Sequence, residues 1–176
     1  PNSIISTYSE DLYLYNRSNI AIVKREELII SLKYVVTILN SQLMAYYFVK
    51  NTAKSVRKMF PKIILNDLRK FPFKEISETE QQPFVNKADT ILKLNENLKN
   101  VSSKFIGLLQ TELSIKKLTK KIDNWHYLEW IDFEKELKRI KRVLTGEQKE
   151  DWYERFNRLK SEIQNLKTQI DKIDKE

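Results

Sequence analysis

The stretch from Gly146 to Glu176 reads GEQKEDWYERFNRLKSEIQNLKTQIDKIDKE. Its residues Trp152, Phe156, Leu159, Ile163, Leu166, Ile170 and Ile173 are separated by alternating steps of 4 and 3. That alternation keeps one stripe of a helix apolar along its length and predicts a coiled-coil-like seam. Just before it, Thr145-Gly146-Glu147-Gln148 combines a helix stop with a helix start. Gly suits a helix terminus, and Gln148 stands three residues after Thr145. Further back, Phe133, Leu137, Ile140 and Leu144 step 4-3-4 and predict a short helix. Two helices joined by a short turn pack antiparallel, so a helical hairpin is expected here.

The segment from Ser114 to Trp130 is less regular, and Asn124-Trp125-His126-Tyr127 reads as a turn whose aromatics pack on neighbouring helices. Upstream, Phe84, Ala88, Ile91, Leu98, Phe105 and Leu109 form one helical stripe, which Leu94, Val101 and Leu108 widen. Asn95 and Ser102 are polar interruptions of its seam. Ser77-Glu78-Thr79-Glu80 has capping-box spacing and should start this long helix, with Pro83 kinking or delaying it. The long helix is expected to pack as a third partner of the hairpin.

The N-terminal part reads differently. Between Ser3 and Lys24, Tyr13, Tyr15, Ile20 and Ile22 recur at about every second position around Asn16-Arg17-Ser18-Asn19. This predicts a strand or hairpin that must lean on a helix or on other strands. Leu32 to Val49 predicts one helix, apolar nearly all round and therefore buried. Ile63-Ile64-Leu65 predicts a strand, followed by a helical turn capped by Asn66 and then, at Phe71-Pro72-Phe73, strand or extended chain. The expected class is α+β, mostly α: a small β element on a buried helix, then a long helix and an antiparallel coiled-coil-like hairpin.

Composition removes many functions. Among 176 residues there are 2 Gly, 4 Pro, no Cys and 1 His. Gly107 and Gly146 are far apart, which excludes a P-loop, a dinucleotide fingerprint and any other Gly-rich phosphate cradle. Without Cys there is no disulfide framework, thiolate metal site or Cys nucleophile. His126 by itself cannot build a His-based zinc site. The apolar run from Tyr34 to Val49 is short for a membrane span and is interrupted by Thr37, Asn40, Ser41 and Gln42. No signal peptide is evident, and the Lys-rich, Cys-free composition fits a cytoplasmic protein. The start at Pro1 and the end in mid-heptad at Glu176 are those expected of a piece of a longer protein.

The formal charge is +8, and it is uneven. Residues 1–75 carry 12 basic and 6 acidic side chains, whereas residues 76–176 carry 20 and 18. Between Lys50 and Lys74 only Asp67 opposes eight cations, so that stretch alone is +7. A basic polar loop beside a rigid helix suits contact with nucleic-acid phosphates. The candidate DNA-binding residues are Lys50, Asn51, Thr52, Lys54, Ser55, Arg57, Lys58 and Lys62. The alternative is a solvated Lys-rich loop without a ligand. Lys116, Lys117, Lys120 and Lys121 form a second, weaker patch, for which a solvated helix face is the favoured reading.

Catalytic patterns are weak. Asp123 followed by Glu136-Leu137-Lys138 has the residue order of metal-dependent nucleases, but residues two apart on a helix face different ways. His126 between Trp125 and Tyr127 reads as a packed or capping histidine. Tyr46, Tyr47 and Phe48 could stack bases, although core is the favoured reading within an apolar helix. No catalytic residue and no metal ligand is assigned.

The order of segments carries a resemblance. Ser31-Leu32-Lys33-Tyr34-Val35-Val36 runs into Ile38-Leu39-Asn40-Ser41-Gln42-Leu43, then Tyr46-Tyr47-Phe48 and the basic loop. Phe60-Pro61-Lys62-Ile63, Asp67-Leu68-Arg69-Lys70-Phe71-Pro72 and Glu80-Gln81-Gln82-Pro83-Phe84 follow. This resembles the TaqI-like C-terminal specificity domain of adenine-specific DNA methyltransferases and fused type II restriction–modification enzymes. Asn124-Trp125-His126 and the helical hairpin also resemble the tails of these enzymes. The resemblance implies the C-terminal part of a DNA target-recognition domain over residues 1–76 and a helical region over 77–176. The family's Asn/Asp-Pro-Pro-aromatic motif is absent, since Pro61, Pro72 and Pro83 are isolated. The implied role is therefore target recognition without catalysis. The implied partners are double-stranded DNA and the methyltransferase domain of the parent chain. S-adenosylmethionine, and Mg²⁺ where the parent also cleaves, would be held outside this sequence. The alternative function is a helical module that docks a partner or self-associates through the C-terminal seam.

Overall fold

A helix that starts inside a folded chain must satisfy its first backbone N–H groups, and here side chains do so at several helix starts. The computed structural model describes residues 4–11, 13–16, 18–51 and 63–175. Its helices are α1 (Leu32–Asn40), α2 (Gln42–Asn51), α3 (Leu65–Leu68), α4 (Glu78–Glu112), α5 (Lys120–Asp123), α6 (Trp130–Arg139) and α7 (Gly146–Lys175). A 3₁₀ turn, Trp125–Tyr127, lies between α5 and α6. The chain divides into two compact units, Pro1–Leu92 and Lys93–Glu176.

In the first unit, the hydroxyl of Ser31 accepts from the Lys33 N–H and opens α1. The expected single helix from Leu32 to Val49 breaks at Ser41, whose backbone is extended. Its hydroxyl lies 2.7 Å from the Ile38 carbonyl, to which it donates, and accepts from the Met44 N–H at 3.1 Å. Serine competes with the helix for these backbone groups, so it can end one helix and cap the next.

The expected β element is absent among the described residues, and the class is all-helical rather than α+β. The turn at Asn16 does form, with the Asn19 N–H donating to the Asn16 carbonyl at 3.1 Å. No backbone ladder follows it, because a strand exists only when another backbone answers its N–H and C=O groups. Tyr13, Leu14, Tyr15 and Val23 are all exposed, so neither side of the segment is buried. Where the N-terminal chain is held, a side chain stands in for a neighbouring strand. Asn40 accepts from the Ser6 N–H at 2.8 Å and donates to the Ser6 carbonyl at 2.9 Å. The predicted strand at Ile63–Leu65 is likewise not a strand, and of the two readings for Phe71–Phe73 the strand does not form. Leu65 begins α3, and its cap position is Ile64 rather than Asn66.

Among the described residues the core of this unit is small. Leu39, Met44, Phe48 and Phe71 are buried together, with Val35, Ile38 and Tyr47 packed against them. Polar clips do much of the remaining work. Gln81, almost fully buried, accepts from the Ser31 N–H at 2.7 Å and donates to the Ile76 carbonyl at 3.0 Å. Tyr34 is buried edge-on to Phe84 and donates its hydroxyl to the Lys74 carbonyl at 3.0 Å. Lys33 pairs with Asp89 at 2.6 Å.

Helix α4 starts where its capping box predicts. The Ser77 N–H donates to Glu80 Oε2 at 2.9 Å, and the Glu80 N–H points back to the Ser77 hydroxyl at 3.4 Å. Pro83 lies inside the helix without delaying its start. The capped first turn is already formed before the position where the missing proline N–H would matter.

The second unit is built around Phe105. Its ring centre lies 4.0 Å from Trp125, 5.6 Å from Phe133, 5.7 Å from Trp152 and 6.0 Å from Phe156. Leu109, Ile115, Ile122, Leu137, Leu159 and Ile163 complete the buried cluster. Each large apolar side chain removed from water stabilises the fold by ~1.5–3 kcal/mol. The α7 seam is thus core from Trp152 to Ile163, while Leu166, Ile170 and Ile173 stay half-exposed. The turn at Asn124–Tyr127 packs as expected only in part, since Trp125 is buried and Tyr127 is exposed.

Candidate nucleic-acid interface

Helix α2 sorts its aromatic run by helical geometry. Phe48 points into the core, edge-on to Phe71. Tyr47 is half-buried, sits edge-on to Phe71 and donates its hydroxyl to the Lys70 carbonyl at 3.3 Å. Tyr46 is 63% exposed. Lys50, one turn further on, holds its ammonium 5.7 Å from the Tyr46 ring centre. The core reading therefore holds for Phe48 and in part for Tyr47. Tyr46 instead offers an aromatic ring beside a cation on the outside of the helix.

Of the predicted site residues, Lys50 and Asn51 occupy the exposed end of α2. Asn51 donates its side-chain amide to the Tyr47 carbonyl at 2.9 Å, closing the last turn. Thr52, Lys54, Ser55, Arg57, Lys58 and Lys62 lie outside the described residues. The Tyr47–Lys70 hydrogen bond brings the turn after α3 to α2, and with it the exposed Arg69 and Lys70. Those two cations lie within the +7 stretch but were not among the predicted site residues. The signal that could have found them is their place between the apolar pair Leu68 and Phe71, both packed in the α2 core.

The nuclease-like pattern does not form a metal centre. Glu136 is buried on α6 and takes Lys121 at 3.2 Å, Arg139 at 3.7 Å and the Thr119 hydroxyl at 3.2 Å. Burial alone would raise its pKa. The hydrogen bonds from Lys121 and Thr119, with the nearby Lys121 and Arg139 charges, outweigh burial and hold the carboxyl below its usual value. Among the described residues no group of three His, Asp or Glu side chains is placed to hold a metal ion. His126 is packed between Trp125 and Tyr127, and its buried Nδ1 has no hydrogen-bond partner among the described residues. Burial, and then the Lys167 ammonium, push its imidazole below the ordinary histidine value. Among the described residues none orients the ring through Nδ1 as a base would require. No helix among the described residues is long and apolar enough to cross a membrane.

Comparison with known families agrees with the resemblance in the first part of the chain. The model of the TaqI-like C-terminal specificity domain matches residues 1–73. A second model, described as a domain of unknown function (DUF8810), matches residues 77–176. No curated protein and no solved structure matches the chain.

Proposed function

We propose, from the premise that this chain belongs to the DUF8810 family and carries a TaqI-like C-terminal specificity domain before it, that it supplies target-DNA recognition to a restriction–modification enzyme. The parent activity in this reading is adenine-specific DNA methylation, with or without a fused endonuclease. Residues 1–76 serve recognition, and residues 77–176 form the adjoining helical region. The chain performs no chemistry itself, and S-adenosylmethionine is held by the catalytic domain of the parent. The Asn/Asp-Pro-Pro-aromatic motif that would hold a target adenine has no counterpart among its prolines. A cytoplasmic location follows from the same reading.

One observation carries it: the exposed end of α2 presents Tyr46, Lys50 and Asn51 directly before the basic stretch. A lysine neutralises a phosphate, and tyrosine and asparagine hydrogen-bond to phosphate oxygens, which fixes the register of a protein on a duplex. The test is a salt titration of duplex binding. Replacing Lys54, Arg57 and Lys58 by Ala should reduce the log–log salt slope by about 1 per lost contact. Absence of duplex binding at low salt, or an unchanged slope in that variant, would remove the assignment.

A second reading is favoured by the α7 seam, whose last three apolar positions are half-exposed beyond the core. A helical interaction module would bury Leu166, Ile170 and Ile173 against a second copy or another helix. Light scattering decides between them, and a monomer at high concentration would leave the seam without that role.

A further inference from the structure

The second unit contains a basic cleft that the specificity-domain reading does not use. Helices α4 and α6 both end beside a non-glycine residue in the left-handed region, Ser114 at φ 50° and Lys141 at φ 60°. These are the only such residues among those described. Each costs roughly 1–2 kcal/mol relative to ordinary backbone. After α6 the turn is complete: the Lys141 N–H donates to the Lys138 carbonyl and the Arg142 N–H to the Leu137 carbonyl, both at 2.9 Å. Arg142 then donates Nη2 to the Ser114 carbonyl at 3.0 Å, tying the two helix ends together. The cleft beside this tie has a volume of about 510 Å³, with Lys116, Lys117 and Arg142 on its walls and Ile115 and Ile140 among its apolar lining.

The charge on its lining is one-sided: Lys116, Lys117 and Arg142 line it and no acid does. Residues 113–122 contain four Lys between Glu112 and Asp123, and residues 137–145 contain four further cations after Glu136. Glu136 takes Lys121 and Arg139. Lys138 and Arg139 lie in the last turn of α6, where they offset the negative end of the helix dipole. Neither explanation covers Lys116 and Lys117. They are exposed, lie in no helix, and form no ion pair with the described residues. Like charges gathered without an acid repel one another, and an anion in the cleft would relieve that repulsion.

The geometry points to a phosphodiester-binding site formed by Lys116, Lys117 and Arg142, through which the helical unit grips the DNA backbone. The cleft wall is formed by long cationic side chains, with no aromatic ring to stack a base. It is therefore a contact that positions the duplex without reading its sequence. The choice of DNA as the phosphate source rests on the proposed function. The site itself is separate in the chain from Lys50–Lys62.

The experiment is a salt titration of binding to a short duplex by the full chain. Four proteins are compared: the parent, Lys116→Ala/Lys117→Ala, the loop variant with Lys54, Arg57 and Lys58 replaced by Ala, and a control with Lys104→Ala/Lys172→Ala. The control removes the same charge from exposed positions of α4 and α7. Circular dichroism verifies folding, and Lys116→Gln/Lys117→Gln replaces the Ala pair should that variant fail to fold. The cleft variant should lower the log–log slope by about 2, and the control by less than half of that. An unchanged slope in the cleft variant beside a lowered slope in the loop variant would overturn the cleft alone. The converse would overturn the loop alone. An equal loss in cleft variant and control would reduce the cleft to net charge and overturn it. No duplex binding by the parent chain would overturn both.

Discussion

Around Phe105, eleven buried apolar side chains from α4 to α7 meet in one cluster, whereas around Phe48 four of the described residues do. The first unit also carries polar clips. Asn40 grips Ser6, Gln81 joins Ser31 to Ile76, and Tyr34 reaches the Lys74 carbonyl. A cluster of large side chains is non-directional, and its stabilisation grows with the apolar area it removes from water. A clip is directional, and each one fixes a particular backbone segment in place. The difference suits a scaffold in one part and a surface of specified shape in the other.

The largest effect should come from Phe105→Ala. Removing a fully buried phenylalanine costs ~3–5 kcal/mol through lost burial and the cavity left behind. Denaturant melts followed by circular dichroism measure it, and amide exchange at Ser31 reports the first unit separately. A loss below ~1 kcal/mol would mean that the aromatic cluster is not what holds the second unit.

Gln81→Ala should come next, and in the first unit. It removes two hydrogen bonds and leaves a part-buried N–H without its partner, a cost of ~1–3 kcal/mol. Exchange at Ser31 should accelerate accordingly while residues around Trp125 keep their protection. Equal acceleration in both units would break the contrast between clip and core.

The smallest effect concerns pH at the start of α4. The hydroxyl and backbone N–H of Ser77 hold the Glu80 carboxyl below its ordinary value. A carboxyl with a lowered folded pKa contributes stability above its unfolded value of ~4.3, and loses it as pH falls through the folded value. Acidification below ~4.3 should therefore fray residues 78–82, as read by backbone carbon shifts. Glu80→Gln should abolish that pH dependence, and persistence of the same fraying in the variant would sink the assignment.

Helices were more legible in the sequence than strands. The steps of 4 and 3 gave the helix α7, and the Ser77–Glu80 box gave the start of α4, because both depend on neighbours within a turn or two. The alternation around Tyr13 and Ile20 misled, because period two states only that a chain could be a strand. Whether it becomes one depends on a partner backbone. Asn40, Ser41 and Gln81 stood out in the motif pattern, but their work lies across 34 and 50 residues for Asn40 and Gln81, and no local pattern shows that. Tyr46, Tyr47 and Phe48 are adjacent in sequence and differ only in which way the helix turns them. The pairing of Lys116 and Lys117 with Arg142 is non-local in the same way, made by two helix ends that close against each other.

Trp125 carries one more consequence. Its ring is fully buried and its indole N–H has no hydrogen-bond partner among the described residues. Trp125, Trp130 and Trp152 all lie after residue 92, while six of the eight tyrosines lie before it. The natural chromophores are thus divided between the units. Excitation of tryptophan alone interrogates the aromatic cluster, with emission at the blue end expected of an indole shielded from water. Tyrosine absorbance is weighted towards the other unit. A single unlabelled sample can therefore yield two separate unfolding curves.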